Sequence, residues 1–176
     1  SDGAGPYKTM AHGDTLDVPV EVQEALNPLC VESISLRQDS GGDGIFRGGL
    51  GTEKVVRMLT DSGVSVQIDR TECLPWGLDG GADGGTASAM IEPAEGPAYP
   101  ILKGTATLKA GDRFRLRVGG GGGFGPPIGR DPELVAADVA AGYISVDHAA
   151  EIYGVIATVD GILDKAETER RRATMA

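Results

Sequence analysis

The sequence predicts an α+β fold: a β-rich body of antiparallel hairpins with glycine-rich connections, followed by short C-terminal helices. Three observations carry this reading. Apolar and polar residues alternate over 64–69 and 113–118, the period of a half-buried strand. Glycines gather in the stretches 39–51, 70–85 and 119–125, which separate the extended segments. Beyond residue 130 the punctuation changes to helix caps, Asp131-Pro132 and then Ser145. On these grounds the chain divides into an irregular lead-in over 1–29, a β-rich domain over 30–130 and a helical segment over 131–176 packed on it.

With 176 residues the chain is one domain or a little more, long enough to bury a core. Hydrophobic residues make up 40%, held down by 28 glycines; with aromatics at 5%, the core rests on Val, Ile, Leu and Ala. The net charge of −10, with a pI near 4.6, argues against nucleic acid or an anionic membrane surface as partner. Cys30 and Cys73 have neither metal-ligand spacing nor a disulfide framework, so a reducing, cytoplasmic compartment is expected. No apolar run approaches the roughly 20 residues of a membrane span. The first residues lack a signal-peptide pattern, and without an initiator Met the expectation is a processed product or a piece of a longer protein.

Taken in order, residues 1–19 are irregular, broken by Gly3, Gly5, Pro6, Gly13 and Pro19. His12 lies there beside Asp14 and Asp17, and the only other histidine is His148. A hydrogen-bonded loop histidine is preferred to a metal ligand, and no metal site is expected on this chain. Residues 20–26 suit a single helical turn stopped by Asn27-Pro28, with Glu21 and Glu24 on one face at i and i+3. That spacing is common, so these carboxylates are weak site candidates. Residues 30–37 read as a strand feeding the first glycine stretch. Residues 53–60 and 63–69 are expected to pair as a hairpin about Asp61-Ser62-Gly63.

In the second glycine stretch Trp76 stands between Pro75 and Gly77. Its indole is expected as a lid on the core, in preference to the wall of a pocket. A short strand over 87–92 and a turn-rich excursion over 93–100 follow. Residues 105–109 and 113–118 form the second expected hairpin, closed at Ala110-Gly111-Asp112. Arg113, Arg115 and Arg117 alternate with Phe114, Leu116 and Val118. This row is expected to face solvent and pair with carboxylates on the neighbouring strand rather than bind an anion.

Five consecutive glycines occupy 119–123. A P-loop ends in Gly-Lys-Ser/Thr and opens a helix, whereas this run enters Phe124-Gly125-Pro126-Pro127. The dinucleotide fingerprint fails too, since no helix opens at its third glycine. Close backbone packing against another segment is the physical account of the run; Gly121 and Gly123 are retained only as weak site candidates with Trp76. Asp131 then caps a helix with Pro132 at its first position, stopped by Gly142, and Ser145 caps a second ended by Gly154. Residues 162–176 form a charged terminal helix, whose Arg170-Arg171-Arg172 run is expected to be solvated.

The stretch 39–51 concentrates the chemistry. Six glycines in thirteen residues let the backbone approach another surface, while Asp39, Ser40, Asp43 and Arg47 remain as polar groups. Asp39, Ser40, Arg47, Gly48 and Gly49 are the leading site candidates. In one reading Arg47 and backbone N–H groups stabilise an anion, either phosphate or a tetrahedral oxyanion. In the other, Arg47 pairs with Asp39 and pins the loop. No nucleophile stands out, because Ser40 has no histidine in local register and neither cysteine sits beside one.

Several motifs recur together: Asp39-Ser40-Gly41-Gly42-x-Gly44-x-x-Arg47-Gly48-Gly49-x-Gly51, Pro75-Trp76-Gly77-x-x-Gly80-Gly81, and Gly120-Gly121-Gly122-Gly123-x-Gly125. Arg130-Asp131-Pro132, Val139-x-x-Gly142-x-x-Ser145 and Tyr153-Gly154-Val155 follow. In this order they resemble the C-terminal part of the hydantoinase B/oxoprolinase family, and Pro19-Val20-Glu21-Val22-x-Glu24 resembles its entry to this region. The resemblance covers 19–155. It implies the C-terminal portion of the B-type subunit of an ATP-dependent cyclic amidase that opens hydantoin or 5-oxoproline rings. The alternatives are the equivalent subunit of an acetone- or acetophenone-type ketone carboxylase, or a non-catalytic assembly module. The implied partners are a hydantoinase A-type subunit that binds ATP and Mg, the N-terminal half of the B-type subunit, and a small-molecule substrate. That N-terminal half, where carboxylase relatives hold a divalent metal with His and Asp, has no counterpart here. No cofactor is implied on this chain alone.

Overall fold

Two antiparallel sheets make up the β-rich part of the chain. The computed structural model describes residues 1–4, 18–69 and 71–175; His12, Asp14 and Asp17 of the lead-in lie outside them. Helix α1 (Val20–Leu26) ends where Asn27 turns extended ahead of Pro28. The main sheet has the order β1-β2-β7-β4-β5, from strands Leu29–Leu36, Thr52–Met58, Arg113–Arg117, Ser88–Glu92 and Tyr99–Pro100. A second sheet pairs β3 (Ser62–Gln67) with β6 (Lys103–Leu108). The α+β class predicted from the sequence is the class observed.

Both expected hairpins are paired differently. β2 pairs not with β3 but with β1 and β7, and β3 pairs with β6, which itself does not pair with β7. Residues 52–67 and 103–117 instead form one long antiparallel ribbon bent in the middle. At the bend Gly111 N–H donates to Met58 O at 2.8 Å, Met58 N–H donates to Asp112 O at 2.8 Å, and Ala110 N–H donates to Asp61 Oδ1 at 3.0 Å. The residues read as turns are thus corners at which both strands change sheet together. Turn chemistry at Asp61-Ser62-Gly63 and Ala110-Gly111-Asp112 suits a sharp bend as well as a reversal.

The ribbon encloses the first core, in which Val56, Met58, Ile91 and Leu108 are buried against Leu29, Val31, Val64 and Phe114. On the other face of the main sheet the arginine row is paired as expected. A register shift between Val31 and Ser33 aims Glu32 at Arg57 and Arg113; Arg115 joins Glu92 to Glu53, and Arg117 reaches Glu53.

Helix α2 (Pro132–Ala140) begins at Asp131, whose side chain accepts the Glu133 N–H at 2.9 Å, and yields to Gly142 at φ 73°. Ser145 caps α3 (Val146–Ile152). The terminal helix α4 (Lys165–Met175) starts later than expected, because Asp164 caps it at Glu167 while Leu163 bridges back to Ala157. Val135, Val139, Ile144, Ala149, Tyr153 and Val155 bury one another as a second core. The triple-arginine run is not uniformly solvated: Arg172 donates to Tyr153 O at 3.0 Å and Arg130 O at 2.7 Å, because carbonyls at the ends of two segments converge there. Among the described residues, no helix is long and apolar enough to cross a membrane.

Candidate functional site

Between the two cores the three glycine stretches run side by side, with 119–125 in the middle. Gly121 N–H donates to Gly49 O and Gly121 O accepts from Gly42 N–H, both at 2.8 Å. Gly120 N–H donates to Gly85 O at 3.2 Å, and Gly123 N–H to Ala82 O at 2.9 Å. Gly123 O accepts from Leu78 N–H at 2.9 Å. One segment therefore bonds outward to neighbours on several sides, unlike a strand in a sheet. Only glycine permits it here: a Cβ at Gly120 would strike the Ser40 carbonyl, one at Gly48 the Gly121 carbonyl, and one at Gly123 the Asp43 carbonyl.

These bonds test the nucleotide question directly. A phosphate cradle needs several backbone N–H groups free and converging. The amides of Gly120, Gly121 and Gly123 are spent inside the bundle. The glycine run therefore does not fit a nucleotide phosphate.

Asp39 enters the bundle at φ 58°, a left-handed conformation uncommon outside glycine. It is held there by bonds to the helical segment: its N–H donates to Tyr143 O at 3.0 Å, and its carboxylate accepts the Ser145 N–H at 2.7 Å. Arg47 therefore does not pair with Asp39. Its Nε and Nη2 reach Asp138 on α2 at 3.1 and 3.3 Å, its Nη1 donates to Gly48 O at 2.8 Å, and its guanidinium lies 5.2 Å from the Tyr143 ring centre. Asp39 is already committed to the turn before α3, which leaves Asp138 as the carboxylate facing Arg47.

Asp138 is shared. Arg130, only 1% exposed, donates to it at 2.8 Å and reaches Asp2 with both Nη atoms, at 2.6 and 2.8 Å. Asp2 also accepts the Arg47 N–H at 2.9 Å, and Gly3 N–H donates to Arg47 O at 2.7 Å. Two arginines and two aspartates thus close a network that ties the beginning of the chain, the first glycine stretch and α2. Hydrogen bonds from Arg130 hold the Asp2 carboxyl below its ordinary pKa, against the opposing effect of burial. Burial works against the Arg130 charge as well, yet Asp2 and Asp138 raise its pKa. Arg130 Nε is buried and has no partner among the described residues.

A second cluster was not evident from sequence. His148 Nε2 lies 2.8 Å from Asp43 Oδ1, and Tyr153 packs beside the imidazole with ring centres 6.2 Å apart. The Tyr153 hydroxyl is enclosed near Asp43 and makes no hydrogen bond of good geometry among the described residues; burial, first of all, pushes its pKa up. The only local signals were an aspartate among glycines and a histidine in a Ser-capped helix.

The other candidates scatter. Ser40 is structural: its Oγ donates to Arg37 O at 2.6 Å and accepts the Gly51 N–H at 2.9 Å. Gly48 and Gly49 serve through their backbones, Gly48 N–H donating to Gly42 O and Gly49 O accepting from Gly121. Glu24 accepts the Val31 N–H at 2.7 Å, while Glu21 is exposed on α1. Trp76 is 71% exposed and is no lid on the core. Its backbone, not its indole, is packed, with its carbonyl against Gly122. Among the described residues, no group of three or more His, Cys, Asp or Glu side chains is placed to hold a metal ion.

Known proteins are similar to this chain in sequence and in fold. The B-type subunit of a putative D-/L-hydantoinase from a Pseudomonas species is 33% identical over 174 residues, covering 97% of this chain and 29% of its own length. The crystal structure of the ATP-dependent caprolactamase from Pseudomonas jessenii superposes with a TM-score of 0.76 at 31% identity, over 88% of this chain and 28% of that one. A nucleotide-free acetone carboxylase structure gives 0.71 at 25% identity, over 90% and 26%. The chain thus spans less than a third of each of these relatives. The hydantoinase B/oxoprolinase family model matches residues 1–127. With that match across most of its length, and with the motifs of the glycine bundle in order, the chain belongs to the hydantoinase B/oxoprolinase family.

Proposed function

We propose that this chain forms the C-terminal portion of the B-type subunit of an ATP-dependent cyclic amidase, acting in the cytoplasm with a hydantoinase A-type subunit that binds ATP and Mg. The observation that carries the reading is the match to a B-type hydantoinase subunit along 97% of the chain. The fold shared with the ATP-dependent caprolactamase supports it. The substrate class is a small cyclic amide, such as a hydantoin, 5-oxoproline or a lactam. ATP on the companion subunit would supply phosphoryl activation of the amide oxygen.

The residues of this chain support a positioning role. Arg47, with its donors directed to Asp138 and Gly48, pins the first glycine stretch to α2. Asp39 and Ser40 fix the entry to the same stretch. The acetone carboxylase likeness is consistent with a second reading, the equivalent subunit of a ketone carboxylase.

ADP formation, measured with hydantoins, 5-oxoproline, lactams and ketones in the presence and absence of the companion subunits, tests both. ADP release coupled to ring opening supports the amidase. A requirement for bicarbonate and a ketone would replace it with the carboxylase, and no turnover with any of them would favour an assembly module. For Arg47→Lys, parallel losses of turnover and stability are expected. A far larger loss of turnover would restore the anion-binding reading.

A further inference from the structure

Arg37 stands where all three glycine stretches leave the main sheet. It follows β1, and its Nη1 donates to Thr86 O at 2.8 Å, just before β4, and to Val118 O at 2.6 Å, just after β7. The guanidinium is held by carbonyls and has no carboxylate partner among the described residues; its Nε and Nη2 make no hydrogen bond to them. Beside it Arg117 bonds Glu53 through Nε alone among the described residues. Glu53 is shared with Arg115, which also bonds Glu92, so among the described residues the three guanidiniums of Arg37, Arg115 and Arg117 meet two carboxylates. Positive charge is thus left over at this corner of a chain whose net charge is −10.

The corner is also concave. A cleft of about 330 Å³ opens there, lined by Ser35, Leu36, Arg37, Gln38, Glu53 and Arg117. We infer that Arg37 and Arg117 form a receptor for a compact oxyanion, a carboxylate or phosphate group carried by a small molecule, with Ser35 and Gln38 as neutral hydrogen-bonding neighbours. Forked guanidinium donors suit a two-oxygen acceptor. Burial first, and then the charge of Arg117, depress the Arg37 pKa against the opposing charge of Glu53, and a bound anion would act in the same sense as Glu53. Because Arg37 also holds Thr86 and Val118, an anion here would brace the junction between sheet and glycine bundle. Such a receptor stands whichever reaction the family assignment brings.

The test is a titration of the chain with sodium phosphate and, separately, sodium succinate, at ionic strength held constant with chloride. Arginine Nε–Hε resonances are followed by NMR. Saturable shifts confined to Arg37 and Arg117, in the millimolar range, are expected. Arg117→Gln should weaken binding roughly tenfold or more, the loss expected for one charge-assisted hydrogen bond. Arg37→Gln should do the same; should it fail to fold for want of its two carbonyl contacts, Arg117→Gln, on the exposed sheet face, still decides. Tighter binding of phosphate identifies a phosphorylated ligand, and tighter binding of succinate a carboxylate. Shifts that do not saturate, that chloride reproduces, or that survive Arg117→Gln unchanged would overturn the proposal.

Discussion

His148 Nε2 lies 2.8 Å from Asp43 Oδ1, joining α3 to the first glycine stretch across 105 positions of sequence. The hydrogen bond to Asp43 raises the imidazole pKa above its ordinary value, against the opposing effect of partial burial. Folding therefore favours the protonated ring. The stabilisation is complete below the unfolded-state value of about 6.5 and is lost as pH rises through the higher folded-state value. Urea midpoints measured from about pH 5.5 to about pH 8.5 should fall across that window in the native sequence and fall less in Asp43→Asn. An unchanged slope in the variant would refute the linkage.

The Arg47–Asp138–Arg130–Asp2 network makes the opposite prediction at low pH. Asp2 has a lowered pKa, so its contribution is complete above about pH 4 and is lost as pH falls through its folded-state value. Asp2→Asn should be destabilised at neutral pH and should narrow the gap from the native protein as the solution is acidified. Thermal melts at matched ionic strength measure that gap.

Within the same network, Arg130→Met strands Asp138, leaving it with Arg47 alone in a buried setting. A loss of about 3–5 kcal/mol is expected, the cost of breaking a buried ion pair from one side. Chemical denaturation reads it, and a loss under about 1 kcal/mol would show that the network contributes little net stability.

Two glycines offer a matched comparison. A Cβ at Gly120 would collide with the Ser40 backbone, whereas one at Gly63 in β3 meets nothing within 4 Å among the described residues. Gly120→Ala should cost at least about 1–3 kcal/mol. Gly63→Ala should be neutral or gain up to about 1 kcal/mol from the reduced freedom of the unfolded chain. Equal effects would mean that the bundle yields more easily than its hydrogen bonds suggest.

Trp76 provides the contrasting case of a large aromatic whose side chain is exposed. Trp76→Ala should change stability by no more than about 0.5 kcal/mol. A loss above about 2 kcal/mol would require the buried indole that the sequence reading expected.

Strands, caps and the alternation of the arginine row were legible because each depends on residues close in sequence. Alternation over 113–118 reports a half-buried strand wherever its partner lies, and Asp131-Pro132 caps a helix whatever it packs on. Partners were not legible. Asp61-Ser62-Gly63 and Ala110-Gly111-Asp112 meet the chemical needs of a reversal and of a bend alike, and the choice depends on a second segment about fifty residues away. The same distance hid the site: Arg47 was visible as a charge among glycines, but Asp138 and Asp2 are brought to it only by α2 and by the beginning of the chain. Trp76 misled because burial averages for tryptophan do not apply where the backbone itself fills the contact.

The glycine bundle also has a consequence for the order of assembly. A helix satisfies its own amides as it grows, but Gly120, Gly121, Gly123, Phe124 and Gly125 find their acceptors, among the described residues, on segments near 46–49 and 78–85. The chain must close those long loops before the hydrogen bonds that repay closure can form. The first two glycine stretches therefore wait, during synthesis, for the third to emerge. Folding should be slow and cooperative, with its rate set by the arrival of Gly119–Gly125 between them.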